Sequence, residues 1–244
     1  SISMAKERLD KALGHMGVGS RKEIREMVRR GRITVDGQLA TDPGQPVEPG
    51  AQAVVVDGIA IAFQRHFYVL LHKPGGLITA TEDSKKSTVM DALPAELRHR
   101  DLFPVGRLDR DTEGLLFLTT DGNLAHRLLS PKWHVDKRYF ARVDLPLTPK
   151  DIPAFAKGVR LEDGYQCMPA KLEIVAPLEA ICTIQEGKYH QVKRMFEARG
   201  KTVTYLKRLT MGPLLLGDLP LGEARPLTES EIAALYASAD LARP

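Results

Sequence analysis

The chain has 244 residues, 43% hydrophobic and 27% charged, which suits a globular protein with room for one large domain or two smaller ones. No apolar run reaches the length of a membrane-spanning helix, no leader peptide is expected, and Ser1-Ile2-Ser3 ahead of Met4 reads as a remnant of expression set apart from the fold. Two cysteines, Cys167 and Cys182, are too few for a disulfide framework and lack metal-site spacing, so a reducing cytoplasm is the expected compartment.

The net charge of +4 is concentrated. Six bases and two acids lie between Ser20 and Arg32, and seven bases and one acid between Lys188 and Arg208. Two basic patches on a balanced background fit a polyanion partner, or two solvated faces.

Leu9 to Leu13 reads as a short helix. Ser20-Arg-Lys-Glu23 has the form of a capping box, in which the Ser hydroxyl and the Glu carboxylate each take an otherwise orphaned N–H. Ile24, Met27 and Val28 then recur at helical spacing, with Arg21, Arg25 and Arg29 on another face and Gly31 past the end. Asp36-Gly37 is a strong hairpin signal, a loop spans Pro43 to Gly50, and Ala53 to Val56 reads as a strand. These residues predict a first domain over 1–60, a linker over 61–67 and a second domain over 68–244.

In the second domain YVLLHKPGG reads as a buried strand and turn. A short helix is expected over Thr88 to Leu93, a strand over Leu115 to Thr119 closed by Asp121-Gly122, and a helix over Asn123 to Leu129. KRYFARVDL alternates as a strand, and PLTPKDIPAFAKGV carries a helix ending at Gly158. Strands follow at Lys171 to Val175 and Ala180 to Gln185, then a basic helix in HQVKRMFEARG and strands through VTYLKRLTMGPLLL. Thr228 with Glu231 opens a last helix. Strands outnumber helices without regular alternation, so the expected class is α+β and not a doubly wound sheet.

GRLDRDTEGLLFLTTDG, Gly106 to Gly122, sets acids and bases against an apolar run. It reads as a solvated turn before a strand, or as a carboxylate held at the rim of a core. If extended, Asp109 and Asp111 would share a face about 6.6 Å apart. That spacing is open to an inverting glycosidase pair or an oxygen-ligated metal, and equally to an ordinary loop. None of the seven histidines shows metal-ligand spacing.

Taken whole, the string resembles the pattern of the RsuA family of pseudouridine synthases, which modify ribosomal RNA. LHKPGG, VDKRYFARV, EGKYHQVKRMFEARG and RPLTESEIAAL resemble that family as well. RLDKAL, SRKEI and VRRGRITVDGQ, within about residues 8 to 58, resemble an S4 RNA-binding domain of the α-L type. The resemblance implies a catalytic domain with a mixed, largely antiparallel sheet, and isomerisation of one uridine after the base has been flipped out of its stack. Asp109 would act as nucleophile or as base on the ribose, and Lys193 would pair with it unless it contacts a phosphate. Tyr139 would stack on the target base unless its ring is simply core. Arg107 would meet the target phosphate or fill the vacated gap, unless it pairs with Asp111. Arg194 is the second basic candidate beside Lys193, and Arg21, Lys22, Arg25 and Arg29 would meet RNA phosphates. Two departures stand out: Arg138, where the family often has a small polar residue, and His72, expected to shape a turn where the family commonly has asparagine. Tyr189-His190 resembles the small-subunit branch and implies 16S ribosomal RNA. The alternatives are 23S ribosomal RNA, or an S4-bearing binding or assembly factor without catalysis. No cofactor and no metal are expected, and the chain is expected to act as a monomer.

Overall fold

The computed structural model describes residues 4–244; the remnant expected at 1–3 lies outside the described residues. The chain divides into two compact units, one ending at Phe67 and taking in Arg98–Asp101, the other holding the rest.

The first unit runs β1 (Glu7–Arg8), α1 (Leu9–His15), α2 (Arg21–Arg29), β2 (Ile33–Val35), β3 (Gln38–Leu39), β4 (Pro46–Val47), β5 (Val54–Val56) and β6 (Ile59–Ala60). The capping box at α2 is formed in both directions, Glu23 N–H to Ser20 Oγ at 3.1 Å and Ser20 N–H to Glu23 Oε1 at 3.0 Å. Ile24 and Val28 point from α2 into a core with Leu9, Leu13, Ile33 and Val54. A four-stranded sheet, β3-β2-β5-β6, lies over it. Two Asp-Gly turns build that sheet: Asp36-Gly37, and Asp57-Gly58, which carries the same signal and was not anticipated. Ile61 and Phe63, read from the sequence as linker, pack against this core.

The second unit is built on a nine-stranded sheet. Its strands are β7 (Tyr68–Lys73), β8 (Phe103–Pro104), β9 (Glu113–Thr119), β10 (Lys137–Val143), β11 (Lys171–Ala176), β12 (Glu179–Ile184), β13 (Val203–Met211), β14 (Leu214–Leu215) and β15 (Ala224–Pro226). The order is β11-β12-β10-β13-β9-β7-β15, with β14 on β13 and β8 on β9. Only β9 against β13 is parallel, so the sheet is mixed and mostly antiparallel. The helices are α3 (Gly122–Leu129), α4 (Asp151–Lys157), α5 (Gln191–Ala198) and α6 (Glu229–Ser238). The segment expected to be helical at Thr88 to Leu93 forms a single 3₁₀ turn, Val89–Ala92.

Central β7 and β9 are buried on both faces, which is why they read as unbroken apolar runs. Leu115 and Phe117 enter a core with Leu124 and Leu128 of α3 and Ile232 and Leu235 of α6; each such buried side chain contributes about 1.5–3 kcal/mol. His72 does not shape a turn: it sits within β7, with its Nδ1 2.7 Å from the Leu219 carbonyl. Among the described residues, no helix is long and apolar enough to cross a membrane.

One glycine determines where the loop before β9 ends. Gly114 has φ +115°, and a Cβ there would lie 2.2 Å from the carbonyl oxygen of Arg208. Only glycine lets β9 lie beside β13 in the parallel register that pairs Arg208 with Gly114.

Candidate active site

The loop from Gly106 to Thr112 leads into β9, and Asp109 sits on it with its side chain 22% exposed. The buried ammonium of Lys73, at the end of β7, holds this loop from beneath. It donates to the carbonyls of Pro74 (3.0 Å), Arg110 (3.0 Å) and Thr112 (2.8 Å). Burial pulls the Lys73 pKa down to about 8, although Asp111, Glu113 and Asp109 resist the fall. Thr79 fastens the other side of the loop, accepting from Leu108 N–H and donating to the Leu108 carbonyl.

Two groups from the start of α5 reach the Asp109 carboxylate. Lys193 Nζ lies 3.1 Å from one oxygen, and His190 Nε2 lies 3.1 Å from the other. Lys193 also contacts Asp111 at 2.7 Å. Burial of the Lys193 ammonium acts to lower its pKa, but hydrogen bonds to Asp111 and Asp109 outweigh it and the net direction is up. The hydrogen bond from Lys193 holds Asp111 below the usual carboxylate range. The ammonium therefore stays charged between two carboxylates. Asp111, 78% exposed, pairs with Lys193 and not with Arg107.

A pocket opens over Asp109, lined by Arg107, Leu108, Tyr139, Leu206, His190 and Lys193, among others. Tyr139 comes from the middle of β10, opposite Cys182 on one side and Arg208 on the other. Tyr139 is 8% exposed and lines this pocket. Arg107 is exposed and makes no ion pair among the described residues. The structure thus brings Asp109, Tyr139, Lys193 and Arg107 to one place.

Arg194 is not brought there. Its guanidinium is bound to Glu162 (2.9 Å) and Asp163 (2.6 Å) and donates to the Tyr189 carbonyl, so its charge is already occupied. In the first unit, Lys22, Arg25 and Arg29 line a groove along α2. Arg29 is hydrogen-bonded to Glu26, Arg21 lies 3.9 Å from Asp10, and Lys22 and Arg25 make no ion pair among the described residues. The sequence reading uses His190 only as a mark of the RNA target, not as a partner of Asp109, and gives Lys73 no role. HQVKRM placed His190 at a helix entry, which could have marked it; nothing local marks Lys73 as buried.

Comparison with known proteins completes the picture. The family model described as RNA pseudouridylate synthase matches residues 67–198, and that of the S4 domain matches residues 7–52. An uncharacterised RNA pseudouridine synthase of Bacillus subtilis is 46% identical, over 93% of this chain and 98% of its own. The ribosomal large subunit pseudouridine synthase B of Bacillus subtilis is 39% identical, over 96% of this chain and 97% of its own. The ribosomal small subunit pseudouridine synthase A of Escherichia coli is also 39% identical, over 93% and 99%. A crystal structure of a pseudouridylate synthase superposes with TM-score 0.66 at 33% identity, covering 94% of this chain and 99% of that one.

Proposed function

We propose that this chain, which belongs to the RNA pseudouridylate synthase family and carries an S4 domain ahead of its catalytic domain, converts one uridine of 16S ribosomal RNA to pseudouridine. The observation that carries the reading is the Asp109 carboxylate, held from one side by Lys193 and from the other by His190, on the floor of a pocket that Tyr139 and Arg107 also line. The reaction breaks the bond from N1 of uracil to C1′ of ribose, turns the base and rejoins it through C5. An ionised carboxylate can attack the nucleotide or take a ribose proton. Lys193 sets a positive charge 3.1 Å from that carboxylate, where charge moves in the reaction. Tyr139 offers an aromatic face to the flipped base, and Arg107 reaches the phosphate or the gap the base has left. The first unit docks on the RNA through Lys22 and Arg25, with weaker shares from Arg21 and Arg29, whose charges are partly engaged by Asp10 and Glu26.

The small-subunit choice rests on Tyr189-His190. Equal identity, 39%, to relatives named for the large and for the small subunit keeps 23S ribosomal RNA as the second reading. Carbodiimide mapping of both ribosomal RNAs from cells lacking the gene tests both. Loss of one small-subunit site, restored by wild type but not by Asp109→Asn, is the expected result. Loss of a large-subunit site would keep the chemistry and overturn the substrate. No lost site would leave an RNA-binding factor, and full rescue by Asp109→Asn would overturn the role given to Asp109.

A further inference from the structure

We propose that Tyr189 is a stacking platform for an unpaired nucleobase next to the target uridine on the same RNA strand. The proposal rests on the pocket over Asp109 being the uridine site. Among the described residues, Tyr189 is the only aromatic ring among the exposed large hydrophobic side chains, at 74% exposure. Such a ring in water costs free energy unless something covers it. It is not loose. It lies on the His190 ring at 3.7 Å and 17°, and Arg194, itself locked by Glu162 and Asp163, holds the Tyr189 carbonyl at 3.0 Å. The segment is closed further by Lys188 N–H to Gln191 Oε1 and Gln191 N–H to the Lys188 carbonyl. The face of Tyr189 turned from His190 is thus presented to solvent on a rigid mount.

What lies behind the ring identifies the occupant. His190 lines the pocket and contacts Asp109 at 3.1 Å, so the Tyr189–His190 stack is one wall of the site continued outward. A nucleotide in the pocket has covalently attached neighbours, and this wall offers one of them a path out of the site. Lys188 and Arg107 give the rim a positive charge that suits phosphates, the charge of Lys193 being taken up by Asp109 and Asp111. Every base has a π face, so stacking accepts any base there and holds the strand without reading it.

The test uses a short RNA spanning the mapped uridine, with 2-aminopurine on its 5′ or its 3′ side. Binding of the wild-type chain should quench the probe at one of these positions. Tyr189→Ala should abolish the quench and raise KM roughly tenfold, the loss of one base–aromatic stack, with kcat unchanged. Tyr189→Trp should keep both. An abasic residue at the quenched position should erase the difference between wild type and Tyr189→Ala. No quench at either position, a quench that survives in Tyr189→Ala, or a fall in kcat with KM unchanged would each overturn the platform. A wild-type chain that quenches the probe but makes no pseudouridine would sink the activity and leave the platform; one that makes pseudouridine without quenching would sink the platform alone.

Discussion

Replacing Lys73 by methionine removes the clamp under the Asp109 loop while keeping its volume. Lys73 is fully buried, and its ammonium is the donor for three carbonyls, two of which flank Asp111. The fall of its pKa from 10.5 to about 8 corresponds to roughly 3 kcal/mol against the charged form. A folded value below the unfolded one means that, between pH 8 and 10.5, the unfolded chain binds the extra proton, so stability from this group rises with pH across that window. At neutral pH the cost is fully present. Methionine removes it but orphans three carbonyls at about 1–3 kcal/mol each. Deletion therefore loses, by about 3 kcal/mol in the middle of that range. Lys137 also falls to about 8 through burial, but it is present in both proteins and cancels in the difference. The single tryptophan, Trp133, packs against the core of this unit and reports its unfolding in urea. Wild type should exceed Lys73→Met in stability at neutral pH, and the gap should widen by up to about 3 kcal/mol toward pH 10.5. Turnover should drop about 10²-fold as the loop shifts. A gap that stays flat with pH, or a variant as stable and active as wild type at neutral pH, would refute the reasoning.

Lys193→Met should lower turnover by about 10²–10³, the usual size for a lost charged donor at a reacting group. Arg194→Met should keep kcat near wild type, because Arg194 is bound to Glu162 and Asp163 and not to Asp109; the opposite order in a turnover assay would mean that the wrong partner has been assigned to Asp109. Gly114→Ala should destabilise the second unit by at least about 3 kcal/mol, since its Cβ would lie 2.2 Å from the Arg208 carbonyl oxygen. Gly122→Ala, with open space around it, is the control, and urea midpoints compare the two. Lys22→Ala and Arg25→Ala should each weaken RNA binding without sequence preference and lower the salt slope by about one. An unchanged slope would remove these residues from the RNA contact.

Much of the fold was legible because its signals are local. The capping boxes at Ser20 and Thr228 join residues three apart, and both form as read. The apolar runs of β7 and β9 declared themselves central because they carry no polar face to give to water. The short strands β1, β4, β8 and β15 had no such periodicity. Each is two or three residues long and exists because a partner already lies beside it.

The site divides in the same way. The residue types that can do the chemistry, Asp109, Tyr139 and Lys193, stand in strings that the sequence alone displays. Their pairing does not. Lys193 meets Asp111 across 82 residues, and Lys73 reaches Arg110 and Thr112 across 37 and 39. His190 turned toward Asp109, and Arg194 turned away toward Glu162, are neighbours on one short stretch. Composition and periodicity determined that there would be an α+β fold, a basic helix at each patch and a carboxylate beside an apolar strand. Which cation serves that carboxylate, and which lysine is stripped of water to hold its loop, depended on the parallel pairing of β9 with β13 and on where α5 begins. Charge acts through distance in space and through burial, and only the folded chain sets those two quantities.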